Sequence, residues 1–382
     1  MRVLHIGKYY APQHGGIERH VQDLAEWQVR HGVDAGVLVH QPAGTWRSAR
    51  ERRNGVDVWR AGCLAAPLYA PLSPTLPWLL SRSLATMPAD LLHLHLPNPS
   101  CIAVLASARA RRLPWIVHWH ADVSAEVPST ALRLAYRAYR PFEQAILARS
   151  SAIIATSRAY LDASAALADW RAKTRVIALG IGEAPTPDPA PNSPDLWPGN
   201  DDEPKLLAVG RLSHYKGFDV LLDALARAPT TRLLLVGDGE CALSLRERAD
   251  RLGISARIVF ANRLDDETLT RAYAQADAFV LPSLDRSEAF GLVLLEAMRA
   301  GLPAVASGVR GSGIGHVVAD GQTGLLVPPG DAPALAAALA RIGNDVALRH
   351  RLGEAGRRRW REHFTLDRSA RAVLDLYLEV LR

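Results

Sequence analysis

Short runs of Val, Ile and Leu alternate with longer stretches of helical periodicity along almost the whole chain. The first series reads RVLHI (2–6), GVLVH (36–40), VDVWRA (56–61), DLLHLHL (90–96), WIVHWH (115–120), AIIATS (152–157) and RVIAL (175–179). Each predicts a strand, and helical patterns such as IERHVQDLAEWQVRHG fill most of the gaps. This alternation predicts a parallel sheet covered by helices on both faces, with ligands at the carboxyl ends of the strands. Those ends hold Gly15-Gly16, the Pro-Asn-Pro at 97–99, residues 118–122 and Ser157.

The pattern breaks at 184–204, APTPDPAPNSPDLWPGNDDEP, where proline replaces apolar periodicity and a linker is predicted. A second series follows: KLLAVG (205–210), RLLLVGDG (232–239), RIVFA (257–261), AFVLP (278–282) and PAVAS (303–307), with helices at about 217–228, 240–252, 265–275, 290–300 and 331–342. Two Rossmann-like, doubly wound α/β domains are expected. They span 1–183 and 205–360, with a C-terminal helix over 361–382 packing back toward the first domain.

Length and composition agree with this. At 382 residues the chain suits two cores, and 48% hydrophobic with 22% charged residues is ordinary for a soluble protein. The longest apolar runs fall far short of a bilayer span, and the N-terminus reads as a strand, so a cytoplasmic protein is expected. Cys63, Cys101 and Cys241 have no metal-ligand spacing and read as packing residues in a reducing compartment. The net charge of +6 is uneven: residues 1–180 hold 21 Lys+Arg against 12 Asp+Glu, while the remainder is net negative. A basic first half suits a phosphorylated substrate or an anionic membrane surface. No zinc-finger or RNP-type motif points to nucleic acid.

Candidate chemistry concentrates in LPSLDRSEAFGLVLLEAMRAG (281–301). Glu288 precedes a predicted helix and Glu296 lies within it, and Gly291 would allow a ligand close to the helix start. By themselves the two glutamates are as well explained as a helix-start charge and a solvated residue. Arg211 and Lys216, in the loop after the first strand of the second domain, are both expected at the start of a helix and could hold a diphosphate together with its N–H groups, or be exposed basic residues near a turn. Gly237 in VGDGE marks a tight strand-to-helix turn. His118 and His120 share one strand face and read as buried strand-end histidines with backbone partners; a metal reading needs a further ligand, which the sequence does not supply. The acidic clusters 201–203 and 265–267 read as linker and helix start. The glycines at 311–315 could wrap phosphates or form a flexible surface loop. Arg133, Arg137 and Arg140 recur along a helical pattern at 130–148, which fits an anionic membrane surface or a solvated face.

Together these stretches resemble the retaining glycosyltransferases of family 4, which have the GT-B fold, two Rossmann-like domains facing across a cleft. The resemblance rests on the E-x7-E spacing in SEAFGLVLLEAM, on EAMRAGLPAVAS and on DGQTGLLVPPGD (320–331). GGIERHV, DLLHLHLPNP and VHWHADV are similar to bacterial enzymes that transfer mannose or a related hexose onto exopolysaccharide or O-antigen intermediates. The resemblance implies that Arg211 and Lys216 neutralise the donor diphosphate. Glu296 would bind the ribose, and Glu288 the donor sugar, with Ala289, Phe290, Gly291 and Leu292 lining the donor. Gly15 and Gly16 would lie beside the diphosphate, with Gly237 near the nucleotide, and His120 near the sugar's 6-hydroxyl. The family's acidic residue between the Arg and Lys is replaced here by Ser213-His214-Tyr215.

The implied partners are a nucleotide sugar, GDP-mannose or a UDP-hexose, and a lipid-linked saccharide acceptor. No cofactor and no metal are expected. Contact with the inner face of the cytoplasmic membrane would be peripheral. The rivals are a sugar-nucleotide epimerase, separable by donor turnover without acceptor, and a silent sugar-nucleotide-binding protein, separable by binding without transfer.

Overall fold

The computed structural model describes residues 1–13, 15–67, 70–123, 130–184, 195–198 and 203–382. The chain divides into two compact units, Met1–Gly180 with Leu366–Arg382, and Ile181–Thr365.

The first unit is built on β1 (Arg2–Ile6), β2 (Asp34–His40), β3 (Ala49–Arg53), β4 (Val56–Ala61), β5 (Leu91–Leu96), β6 (Trp115–Trp119), β7 (Ala152–Ala155) and β8 (Thr174–Val176). They form one sheet in the order β3-β4-β2-β1-β5-β6-β7-β8. All neighbours are parallel except the β3–β4 hairpin, whose Asn54-Gly55 turn has positive φ at both residues. β3 escapes the hydrophobic pattern because ARERR is exposed throughout. On one sheet face Val3, Leu91, Ile116 and Ile154 pack against Leu24 and Trp27 of the Gly16–Arg30 helix and Val373, Leu376 and Tyr377 of the C-terminal helix. That last helix spans Leu366–Leu381, shorter than the expected 361–382, because residues up to His363 continue the preceding helix, which runs from Val346. Trp27 Nε1 donates to Asp367 Oδ1 (3.3 Å) and Ser369 Oγ to the Ala178 carbonyl (2.7 Å), tying its start to this unit.

The second unit contains β9 (Lys205–Val209), β10 (Arg232–Val236), β11 (Ile258–Ala261), β12 (Ala278–Leu281), β13 (Ala304–Ser307) and β14 (Gly324–Val327), all parallel, in the order β11-β10-β9-β12-β13-β14. β14 comes from the GLLV of DGQTGLLVPPGD, a run too short to stand out by periodicity. Leu206, Ala208, Leu233, Leu235 and Val280 form the core with Phe218, Leu221, Leu225, Leu335 and Leu339.

Of the expected linker, residues 185–194 and 199–202 lie outside the described residues. Its end at 195–198 is anchored, which a proline-rich composition does not show. Trp197 is buried and donates from Nε1 to the Leu206 carbonyl (2.7 Å), and the fully buried Arg232 donates to the Pro198 carbonyl (2.9 Å).

In both sheets the strand order reverses at one place, between β1 and β5 and between β9 and β12. The turns leaving adjacent strands there diverge to opposite sheet faces, which opens a crevice at their carboxyl ends. Both clusters of candidate residues lie at these two switch points.

Candidate active site

In the second unit the switch point brings two loops together, 210–217 after β9 and 282–291 after β12. Leu284 N–H donates to the Tyr215 carbonyl (2.8 Å). Gly217 has φ 66°, and a Cβ there would meet the Pro282 carbonyl at 2.1 Å, so only glycine permits the approach. Gly237 has φ 149°, and its Cβ would stand 1.9 Å from the Gly210 carbonyl, which brings the turn after β10 against the same loop.

This packing buries Lys216, which lies in a short 3-10 turn and not in the following helix, Phe218–Ala226. Its Nζ sits 2.5 Å from Glu288 Oε2, with the side chains 9% and 11% exposed. Burial alone would lower the Lys216 pKa, but the Glu288 carboxylate and Tyr215 oppose it and hold the ammonium above its usual range. Ser283 Oγ adds a longer contact to the same carboxylate oxygen (3.4 Å). Arg211, at the head of the loop, is exposed. The pair therefore presents a fixed cation and a fixed carboxylate side by side, with Arg211 a second cation on the same loop.

Behind Glu288, Ala289, Phe290 and Gly291 are buried, and Gly291 (φ 84°) caps the Leu292–Ala300 helix. Glu296 sits in that helix, partly buried, and accepts from the Tyr273 hydroxyl at 2.7 Å. The glycine stretch 311–315 is not a flexible surface loop. Ser312 Oγ donates to the Glu288 carbonyl, Gly313 N–H to the Ala289 carbonyl (2.7 Å) and Arg286 Nε to the Gly311 carbonyl (3.1 Å). Its glycines let this backbone lie against the glutamate loop: a Cβ on Gly313 would meet the Ala289 carbonyl at 2.7 Å.

In the first unit Gly15 precedes the helix that starts at Gly16, and the Glu18 carboxylate folds back over Gly15, placing an internal anion at that helix start. His118 and His120 do share a face, with rings stacked 4.3 Å apart at 6°. Their ring neighbours are other imidazoles. The register pairs His5 with His93 and His95 with His118, so the face that begins apolar at Val3, Leu91 and Ile116 turns to histidine toward the strand ends. His20, on the covering helix, completes a buried group of six. His5 Nδ1 lies 3.0 Å from His95 Nε2, and His95 Nδ1 lies 3.0 Å from His120 Nε2. Desolvation holds all six rings neutral at physiological pH. His5 falls to about 4, His20 to about 3, and His93, His95, His118 and His120 lie well below the usual range.

The nearby nitrogens that the sequence did not supply are present: ring nitrogens of His5, His93 and His95, and of His95, His118 and His120, fall within 4.8 Å of one another, as a metal site would need. Neutral imidazoles suit a d-block cation. In the second trio, however, the His118 and His120 planes are parallel, so their in-plane lone pairs run side by side and do not converge.

Residues that sequence reasoning passed over are His5, His20, His93, His95, Gln28, Tyr273 and Tyr377. The alternation in HLHL, matching that in HWH, is the signal for two of them. The others become neighbours only once the strand order is known.

Two such parallel-sheet units in one chain fit the GT-B fold, and solved glycosyltransferase structures of that fold match nearly the whole chain. Sucrose-phosphate synthase from Thermosynechococcus elongatus matches with a TM-score of 0.81 at 27% identity, over 99% of this chain and 98% of that one. Anabaena Alr3699/HepE in complex with UDP-glucose shares the fold, with a TM-score of 0.77 at 21% identity over 99% and 100% of the two chains. The Glycosyl transferase 4-like domain matches residues 15–180 and Glycosyl transferases group 1 matches residues 193–359. The chain is 30% identical to O-antigen chain mannosyltransferase C of Escherichia coli, over 100% of this chain and 99% of the other. It is also 30% identical to D-rhamnosyltransferase WbpZ of Pseudomonas aeruginosa, over 96% and 92%. The chain belongs to glycosyltransferase family 4 and is a glycosyltransferase.

The neutral histidines make stability depend on pH. Their folded pKa values lie below the unfolded value, so the stabilisation is complete above about pH 6.5 and is lost as pH falls toward the folded values, by up to about 1.4 kcal/mol per pH unit for each ring. Denaturant midpoints measured from pH 8 to 5 should fall steeply below about pH 6.5. His20→Leu, which removes a ring with no hydrogen-bond partner among the described residues, should reduce that slope by about one proton. A flat profile would contradict the burial of neutral rings.

Proposed function

We propose that the protein moves a hexose, preferentially mannose, from a nucleotide-sugar donor to a lipid-linked or oligosaccharide acceptor in bacterial surface-polysaccharide synthesis, with retention at the anomeric carbon. The observation that supports it is the buried Lys216–Glu288 pair at the β9/β12 switch point. Full-length similarity to O-antigen chain mannosyltransferase C supports the choice of sugar and acceptor class.

In this reading Lys216 and Arg211 hold the donor diphosphate, Gly15 and Gly16 lie beside it, and Gly237 lies near the nucleotide. Glu296 takes the ribose, and Glu288 the sugar, with 289–292 beside it. His120 meets a sugar hydroxyl. As the anomeric C–O bond breaks, its electron pair passes to the diphosphate. The two cations and the start of the Leu292–Ala300 helix stabilise the growing negative charge. The acceptor oxygen bonds to the anomeric carbon from the same face, and its proton passes to the departing phosphate oxygen. Glu288 positions the donor and forms no covalent bond to it, unlike the nucleophile of a retaining glycosidase. The proposal calls on no metal ion, because the ammonium and guanidinium supply the positive charge.

We also propose peripheral contact with the inner face of the cytoplasmic membrane. Among the described residues no helix is long and apolar enough to cross a bilayer. Trp46, Leu64, Leu72 and Trp78 are each more than half exposed, with Arg47 over the Trp46 ring and Arg82 over that of Trp78. Bonds between Leu64 and Leu72 (2.9 Å) and between Ser48 and Thr75 (3.2 Å) hold the segments bearing these side chains together. Amphipathic tryptophan beside arginine suits an anionic headgroup layer. Arg133, Arg137 and Leu134, exposed on the Thr130–Arg149 helix, have the same character.

A thermal-melt screen of GDP-mannose, UDP-glucose, UDP-N-acetylglucosamine and UDP-galactose tests the donor class. A ligand at about 100 times its Kd stabilises by roughly 2.7 kcal/mol, and GDP-mannose is expected to give the largest shift. No shift with any nucleotide sugar would overturn the reading, and donor turnover without acceptor would favour epimerisation.

Vesicle flotation tests the membrane contact. Binding should require anionic lipid, weaken in high salt and fall in a Trp46→Ala, Trp78→Ala variant. Equal binding to neutral vesicles at any salt would count against it.

A further inference from the structure

Four hydrogen bonds join Tyr377, Gln28, His5, His95 and His120 into one buried chain. Gln28 Nε2 donates to the Tyr377 hydroxyl (3.1 Å), and Gln28 Oε1 lies 2.8 Å from His5 Nε2. His5 Nδ1 then meets His95 Nε2, and His95 Nδ1 meets His120 Nε2, each at 3.0 Å. Tyr377 turns its hydroxyl to His93 Nδ1 at 2.5 Å. A neutral imidazole carries one N–H and one lone pair, so the direction of one bond sets the direction of the next.

The amide orientation starts the sequence. A separation of 3.1 Å is ordinary for N–H···O and long for O–H···O, while 2.8 Å suits an imidazole N–H on a carbonyl oxygen. Thus the amide nitrogen faces Tyr377 and its oxygen faces His5. His5 must donate from Nε2 and accept at Nδ1. His95 must donate from Nε2 and accept at Nδ1, and His120 must donate from Nε2. Burial supports the premise, since His5, His95 and His120 are 0%, 2% and 5% exposed, where a charged ring without a counter-ion is costly.

We propose that this chain fixes His120 in its Nε2–H tautomer, leaving Nδ1 as a hydrogen-bond acceptor for a hydroxyl of the donor sugar. The assignment of the hydroxyl rests on the reading of His120 given above; the tautomer does not. The sugar hydroxyl must then be the donor, so the site selects a group that can give a proton into a hydrogen bond. His5, His95 and Gln28 are positioning residues. They act through His120, as the outer partner of a ligating or catalytic imidazole commonly does.

The test reads the wild-type, full-length protein labelled with 15N-histidine. Ring nitrogen shifts, assigned against His120→Asn, should show His5, His95 and His120 each protonated at Nε2 and bare at Nδ1. His120 protonated at Nδ1, which follows if the Gln28 amide is turned and every bond reverses, would overturn the proposal. So would a mixture of tautomers, or a d-block ion co-purifying at one per chain on these nitrogens. Kinetics provide the second measurement. Gln28→Met removes the acceptor and should lower kcat by about tenfold with KM for the donor little changed, while Gln28→Glu keeps an acceptor and should restore most of it. Wild-type kcat in Gln28→Met would overturn the positioning role. A protein that shows the expected tautomers yet transfers from no nucleotide sugar would leave the tautomer standing and overturn only the functional reading.

Discussion

One buried ammonium against one buried carboxylate holds the second unit's central loops in place. Lys216 and Glu288 are 72 positions apart, and β9 and β12 are neighbours only because the strand order reverses there. Removing either partner strands the other charge away from water, a cost of about 3–5 kcal/mol in comparable buried pairs. The glycines follow from this constraint. Gly217 and Gly237 have positive φ and no space for a Cβ, which allows the turns after β9, β10 and β12 to meet around the pair. The loop at 311–315 closes on the Glu288 backbone from the β13 side.

The first unit solves the corresponding problem without ions. At the β1/β5 reversal, the layer between sheet and covering helices changes from Val, Leu and Ile to histidine. Imidazoles are compact enough to pack and polar enough to bond one another, so the layer stays dense while its end becomes chemical. Its dependence on Gln28 and Tyr377 explains why the C-terminal helix belongs with this unit: Tyr377 is both a core residue and the last member of a hydrogen-bonded chain.

Much of this was legible beforehand. The strands were visible because buried parallel strands read as continuous apolar runs, and the E-x7-E stretch with its flanks identified the family. β3 was missed since ARERR has no apolar face, although the Asn54-Gly55 pair beside it is a hairpin signal. The Lys216–Glu288 contact could not be read, because neither residue's spacing reveals which strands lie side by side. His93 and His95 showed their alternation in HLHL, but His5 and Gln28 acquire meaning only through register and helix placement. The anchored end of the proline-rich stretch was hidden for the same reason: Trp197 finds the Leu206 carbonyl and Arg232 the Pro198 carbonyl, and nothing in the intervening sequence marks either bond.

In the proposed reaction Lys216 and Glu288 act as one unit on the donor. A double-mutant cycle in kcat/KM tests it, using Lys216→Ala, Glu288→Gln and the double variant, each checked for folding. Each single change should cost more than tenfold, at least about 1.4 kcal/mol of transition-state stabilisation, and the double variant should lose clearly less than the product of the two. Near-normal turnover in Lys216→Ala, or losses that simply multiply, would contradict it.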